Sequence, residues 1–116
     1  MITMINGCNP MPMTLNAGTN TYLLGQASKK VLIDTTDDPK FLTLLEKELT
    51  VTNSSLEAIL LTHYHWDHTG GVEYIRKNIN PDVKVYQTCR KLSQSQLNPR
   101  IAGYLNHMKR IVLYTL

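Results

Sequence analysis

Cysteine is scarce in this chain, with Cys8 and Cys89 the only two among 116 residues. That is too few for a disulfide scaffold and fits a reducing compartment. Long apolar runs are missing as well. The longest, Ala58 to Leu61, is strand-sized, far short of the ~20 residues a spanning helix needs, so no membrane partner is expected. No Lys or Arg precedes Lys29, which argues against a secretory signal or an Arg-rich transit peptide. Acidic residues run out toward the C-terminus: no Glu follows Glu73 and no Asp follows Asp82. Internal repeats and low-complexity segments are absent too.

What is present suits one globular domain. The chain weighs 13.2 kDa. Its composition, 42% hydrophobic and 18% charged, argues against wholesale disorder. The formal net charge of +3 is unevenly divided. Residues 1–73 hold four basic and eight acidic side chains, whereas residues 74–116 hold eight basic and one acidic. A basic half can contact phosphates. Without the fingerprint of a nucleic-acid module, a solvated surface whose balancing acids lie elsewhere is the plainer reading.

The elements alternate. Asn6 to Asn20, rich in Gly, Pro, Asn and Thr, reads as loop. Asn20 to Gly25 and Val31 to Ile33 are strand candidates, separated by a polar turn and paired as a hairpin. Asp38-Pro39 marks a helix start, because Asp caps free N–H groups and Pro suits a first turn. Phe41, Leu42, Leu45 and Leu49 then recur at helical spacing. Ile59-Leu60-Leu61 reads as a strand buried on both faces. Gly70 to Asn78 predicts a second helix, and Val83 to Tyr86 a further strand. Alternating strands and helices indicate an α/β domain. In the tail, Ile101, Tyr104, Leu105, Met108, Ile111 and Val112 could form an amphipathic stripe, which is more often packing than a partner site.

The informative stretch is Thr62-His63-Tyr64-His65-Trp66-Asp67-His68. It brings together imidazoles and a carboxylate, a mixture that suits Zn²⁺ or a similar divalent ion. Were the preceding strand to continue, His63 and His65 would point to one side and could share an ion. Asp67 and His68, at the turn into the next helix, would reach a neighbouring ion instead. The motif therefore feeds two half-sites. Gly70-Gly71 permits close backbone approach at the helix entry. Tyr64 and Trp66 flank the ligands and read as pocket walls rather than base-stacking platforms. Cys89 reads as a small buried hydrophobe rather than a reactive thiol.

His63-x-His65-x-Asp67-His68 resembles the signature of the metallo-β-lactamase superfamily. Gly18-Thr19-Asn20-Thr21-Tyr22-Leu23 resembles that family's first hairpin strand. Leu32-Ile33-Asp34-Thr35 resembles its Asp turn, with Thr36 where the family usually has Gly. The stretch from Gly7 to Leu15 narrows the match to a branch of single-strand-specific mitochondrial endoribonucleases, within the glyoxalase II-like group. The resemblance covers about residues 4–90, leaving 95–116 as a divergent tail.

It implies an α/β fold, a four-layer αββα sandwich, of which residues 1–116 supply the N-terminal half as one partial domain. It implies that His63 and His65 ligate one Zn²⁺ and that Asp67 and His68 ligate a second, two per complete site. Asp67 would also be catalytic, orienting the water that attacks phosphorus, and Asp34 would steady the loops that carry the ligands. The metal would supply hydroxide near neutral pH, and single-stranded RNA would be the substrate. The implied location is the mitochondrial matrix, with the cytoplasm as the alternative.

The family completes its site with a later His loop, a bridging Asp and a final His. No carboxylate follows Asp82, and His107 lacks the Gly and Pro of such a loop. These residues alone are therefore expected to be inactive or nearly so, since a catalytic zinc needs three protein ligands. Two further readings stay open. One is a thioester hydrolase of the glyoxalase II type. The other is a non-enzymatic metal-binding or interaction fragment.

Overall fold

The computed structural model describes residues 1–10, 18–63, 65–88 and 113–115. In chain order the elements are β1 (Ile2–Asn6), β2 (Asn20–Leu24), β3 (Lys29–Ile33), α1 (Pro39–Val51), β4 (Ser55–Leu61), α2 (Trp66–Thr69), α3 (Val72–Asn78), β5 (Lys84–Thr88) and β6 (Leu113–Thr115). The six strands form one sheet in the order β1-β2-β3-β4-β5-β6. β3, β4 and β5 run parallel, and the outer pairings are antiparallel. Parallel neighbours need crossovers. α1 supplies the one from β3 to β4, and α2 with α3 the one from β4 to β5.

Local chemistry starts α1 where the sequence predicts. The Asp38 carboxylate accepts the Lys40 N–H at 2.8 Å, and Pro39 occupies the first turn. The helix then buries Phe41, Leu42, Leu45 and Leu49. They pack with Ile5, Leu23, Leu32, Ile59, Leu61, Val85 and Ile75 in the main core. Each fully buried side chain of this size is worth roughly 1.5–3 kcal/mol. Packing of this face, more than intrinsic propensity, therefore holds a helix this short. The alternate residues of the central strands, Val31, Ile33, Ala58, Leu60 and Tyr86, are also buried. The continuous apolar run Ile59–Leu61 is thus covered on both faces, as expected. Toward the β1 edge the same face opens: Ile2 and Met4 are exposed.

Two expectations are corrected. β1 was not anticipated, because Ile2–Asn6 offers one buried residue, Ile5. Its strand character comes from pairing with β2, in the register Met4 to Tyr22. The helix expected over Gly70–Asn78 begins at Val72, as α3, and an unexpected single turn, α2, precedes it, with Gly70 and Gly71 between them. A Cβ on Gly71 would collide with the Thr36 carbonyl oxygen, so the chain passes the β3–α1 turn there as bare backbone. The stripe from Ile101 to Val112, Cys89 and Tyr64 all lie outside the described residues.

Candidate metal centre

The candidate residues gather where β3 and β4 end, at the carboxyl edge of the parallel strands, where open α/β sheets place their sites. β3 delivers Asp34. β4 delivers Thr62, His63 and His65. The single turn of α2 carries Asp67 and His68. The rings of His63 and His65 meet edge-on with centroids 4.6 Å apart. Those of His63 and His68 are 4.1 Å apart.

Asp34 is the hub. It is buried, with its backbone in the left-handed region at φ 60° and its N–H donated to the Leu60 carbonyl at 2.9 Å. Its Oδ1 accepts the Thr62 N–H at 2.7 Å. Its Oδ2 accepts the Thr62 hydroxyl at 2.8 Å and lies 2.9 Å from His68 Nδ1. A hydroxyl has one proton to give, and Thr62 gives it to Asp34. At 2.8 Å from His63 Nδ1, Thr62 Oγ1 therefore accepts, so the ring proton of His63 sits on Nδ1. His68 likewise donates Nδ1–H to the Asp34 carboxylate. Both rings are held in the tautomer that leaves the lone pair on Nε2, a form in which a histidine can ligate a metal.

The electrostatics agree. Burial pulls the His63 imidazole below its ordinary pKa, and the neighbouring His68 and His65 add to this; Asp34 and Asp67 pull the other way with less effect. A neutral ring is the form that ligates. His68 Nε2 lies 3.2 Å from Asp67 Oδ2.

The ligand loop is latched from below. Thr35 donates both its N–H and its hydroxyl to the His68 carbonyl, at 2.8 and 3.0 Å, and its Oγ1 accepts the Gly71 N–H at 3.0 Å. Thr36 is fully buried and donates to the Gly7 carbonyl at 2.8 Å. A hydroxyl thus ties down the turn at the place where a Gly was expected. Thr35 was invisible as a site residue in the sequence, since hydroxyl bonds to backbone follow no spacing. The Thr62 hydroxyl, by its place beside the ligand candidates, is expected to hydrogen-bond near their loop, and it does so with Asp34 and His63. Trp66 is 64% exposed, so its ring stands in solvent rather than walling a pocket.

The donor set suits a divalent cation, as half-sites. Among the described residues no three His, Cys, Asp or Glu side chains group around one point. A cavity of about 640 Å³ between the C-terminal ends of α1 and α3 is lined by Glu46, Asn53, Ser54, Asn80 and neighbours. It contains none of these donors and lies at the other end of β4.

A mixed sheet carrying imidazoles and a carboxylate on the loops beyond its parallel strands defines an α/β protein with candidate metal-ligating side chains at its carboxyl edge. The chain belongs to the metallo-β-lactamase superfamily, whose sequence pattern matches residues 16–88. It is 47% identical over 87 residues to the beta-lactamase-like protein 2 homolog of Drosophila melanogaster, covering 72% of this chain and 30% of that protein. It is 44% identical over 78 residues to an atrochrysone carboxyl ACP thioesterase of Cryptosporiopsis, covering 66% of this chain and 24% of that protein. Among solved structures, the BLEG-1 B3 metallo-beta-lactamase superposes with a TM-score of 0.58 at 25% identity. That match covers 97% of this chain and 48% of the lactamase. The chain spans about 30% of the length of the first of these relatives.

Proposed function

We propose that this chain carries the first half of a zinc-dependent hydrolytic centre and that single-stranded RNA is the substrate of the complete protein. One observation carries the metal reading: Asp34 and Thr62 fix His63 and His68 in the tautomer that leaves the Nε2 lone pair free to ligate. His63 and His65 would hold one ion, and Asp67 with His68 the other. Zinc bound there would polarise the scissile phosphate and lower the pKa of an attacking water. The chain's own part is orientation. Asp34 keeps two imidazoles in one tautomer, and Thr35 holds the α2 backbone against the end of β3.

The RNA substrate and a mitochondrial matrix location rest on the resemblance of Gly7–Leu15 and Gly18–Leu23 to the endoribonuclease branch. Thioester hydrolysis is the second reading, favoured by the similarity to the carrier-protein thioesterase.

The deciding experiment isolates the protein at its endogenous length from its source cells. It is then assayed with zinc on single-stranded RNA and on a glutathione thioester. RNA cleavage lost on chelation and restored by zinc is the expected result. Thioester turnover without RNA cleavage would replace it with the second reading, and zinc-insensitive inactivity on both would leave a binding role.

A further inference from the structure

Thr19 lies at the entrance to β2, far from the ligand motif in sequence, yet its hydroxyl reaches the one candidate carboxylate ligand. Thr19 is buried, and its Oγ1 donates to Asp67 Oδ2 at 3.2 Å. The direction of that bond is set from behind. The Asn9 side-chain carbonyl accepts the Thr19 N–H at 2.8 Å, which fixes the amide so that Nδ2 faces Thr19 Oγ1 at 3.2 Å. An amide nitrogen only donates. Thr19 Oγ1 receives that hydrogen and turns its own proton to Asp67.

The threonine backbone is fixed as well. The Gly7 N–H donates to the Thr19 carbonyl at 2.7 Å, and a Cβ on Gly7 would collide with that oxygen. The Gly7 carbonyl in turn accepts from Thr36. The hydroxyl is therefore located by β1, β2 and the β3–α1 turn together. On Asp67, Oδ2 accepts from Thr19 and lies 3.2 Å from His68 Nε2, while Oδ1 has no hydrogen bond among the described residues.

We propose that Thr19, oriented by Asn9, is a positioning residue for Asp67: it occupies Oδ2 and so presents Oδ1 to a divalent cation. This rests on the reading of Asp67 as a ligand. A carboxylate free to turn must lose that freedom on binding, whereas one already held does not.

The test is calorimetric titration of the chain with zinc, needing no turnover. Thr19→Val should weaken zinc binding about tenfold, the usual scale for a partner behind a ligand. Thr19→Ser, which keeps the hydroxyl, should stay within about twofold of the parent. Thr21→Val is the control. Thr21 is buried on the same strand and donates to the Ile5 carbonyl at 2.8 Å, so its loss should lower the melting temperature without moving zinc affinity. Should Thr19→Val not fold, the half-buried Asn9→Ala cuts the same chain one link back, with a loss of about threefold or more. Unchanged affinity in Thr19→Val, or an equal loss in Thr21→Val, overturns the positioning role. A parent chain that takes up no zinc overturns the ligand reading and this role with it.

Discussion

Asp34 holds a backbone conformation that costs an ordinary residue roughly 1–2 kcal/mol and that Asp tolerates better than most. Three donors converge on its carboxylate, and no residue lacking that group can receive them. Asp34→Ala leaves the Thr62 N–H without its acceptor beside a buried position. The expected destabilisation is about 1–3 kcal/mol, read from the urea midpoint. It also frees both imidazoles to change tautomer, so zinc affinity should fall at least about tenfold. An alanine variant that binds zinc like the parent would show that the rings need no orienting.

Tyr86 offers a pH test away from the site. Burial raises its phenol above the ordinary value, with the Glu57 carboxylate the second cause. The folded chain therefore keeps this proton longer than the unfolded chain. That contribution to stability is complete below about pH 10 and is lost as pH rises through the folded value. Urea midpoints measured from about pH 8 to 11 should fall less steeply in Tyr86→Phe than in the parent. At this scale the sequence was legible for the candidate donors, since the three imidazoles and the carboxylate that stand within six positions also meet in space. It was silent on Thr19 and Thr35. Their contacts span 48 and 33 residues, and a threonine carries no mark of the partner it will meet.

The elements divide the same way between local and distant causes. α1 was legible because its cap, first-turn proline and apolar face are all written within 13 residues. Phe41→Ala, at a fully buried position, should cost about 3–5 kcal/mol and be seen as a lower urea midpoint. β1 was missed because its strand character belongs to its neighbour. That α3 starts only after Gly71 was missed because the group crowding Gly71 is the Thr36 carbonyl on another loop. Gly71→Ala tests that cause. The added methyl meets backbone rather than a side chain that can swing away, so the loop must shift. The expected cost is about 1–3 kcal/mol, together with weaker zinc binding, because the Gly71 N–H and the His68 carbonyl share Thr35. A stable variant with unchanged affinity would mean that α3 can back away from the β3–α1 turn without disturbing the ligands.

At the scale of the whole molecule, the half-sites and the charge distribution belong to one problem. Two protein ligands per cation give little chelation. Zinc should bind these 116 residues with far less than the roughly 10–16 kcal/mol of a four-ligand structural site. Because so little binding energy is available, chelation should barely move the melting temperature of this chain. Mass-action stabilisation grows only as the logarithm of occupancy. The outcome should reverse in any longer polypeptide that retains His63 to His68 and adds the remaining ligands. There zinc removal should lower the melting temperature by several degrees, and hydrolysis should follow the metal. The basic excess of residues 74–116 would then sit on the same polypeptide as the completed centre. Binding of single-stranded RNA there should weaken steeply as salt rises, whereas thioester turnover has no reason to. Intact-mass measurement on the endogenous protein selects which case applies. A mass above 13.2 kDa places the missing ligands in the extension. A mass of 13.2 kDa predicts weak zinc binding, no chelator effect on stability and no cleavage, with metal capture or partner binding as the remaining use of the motif.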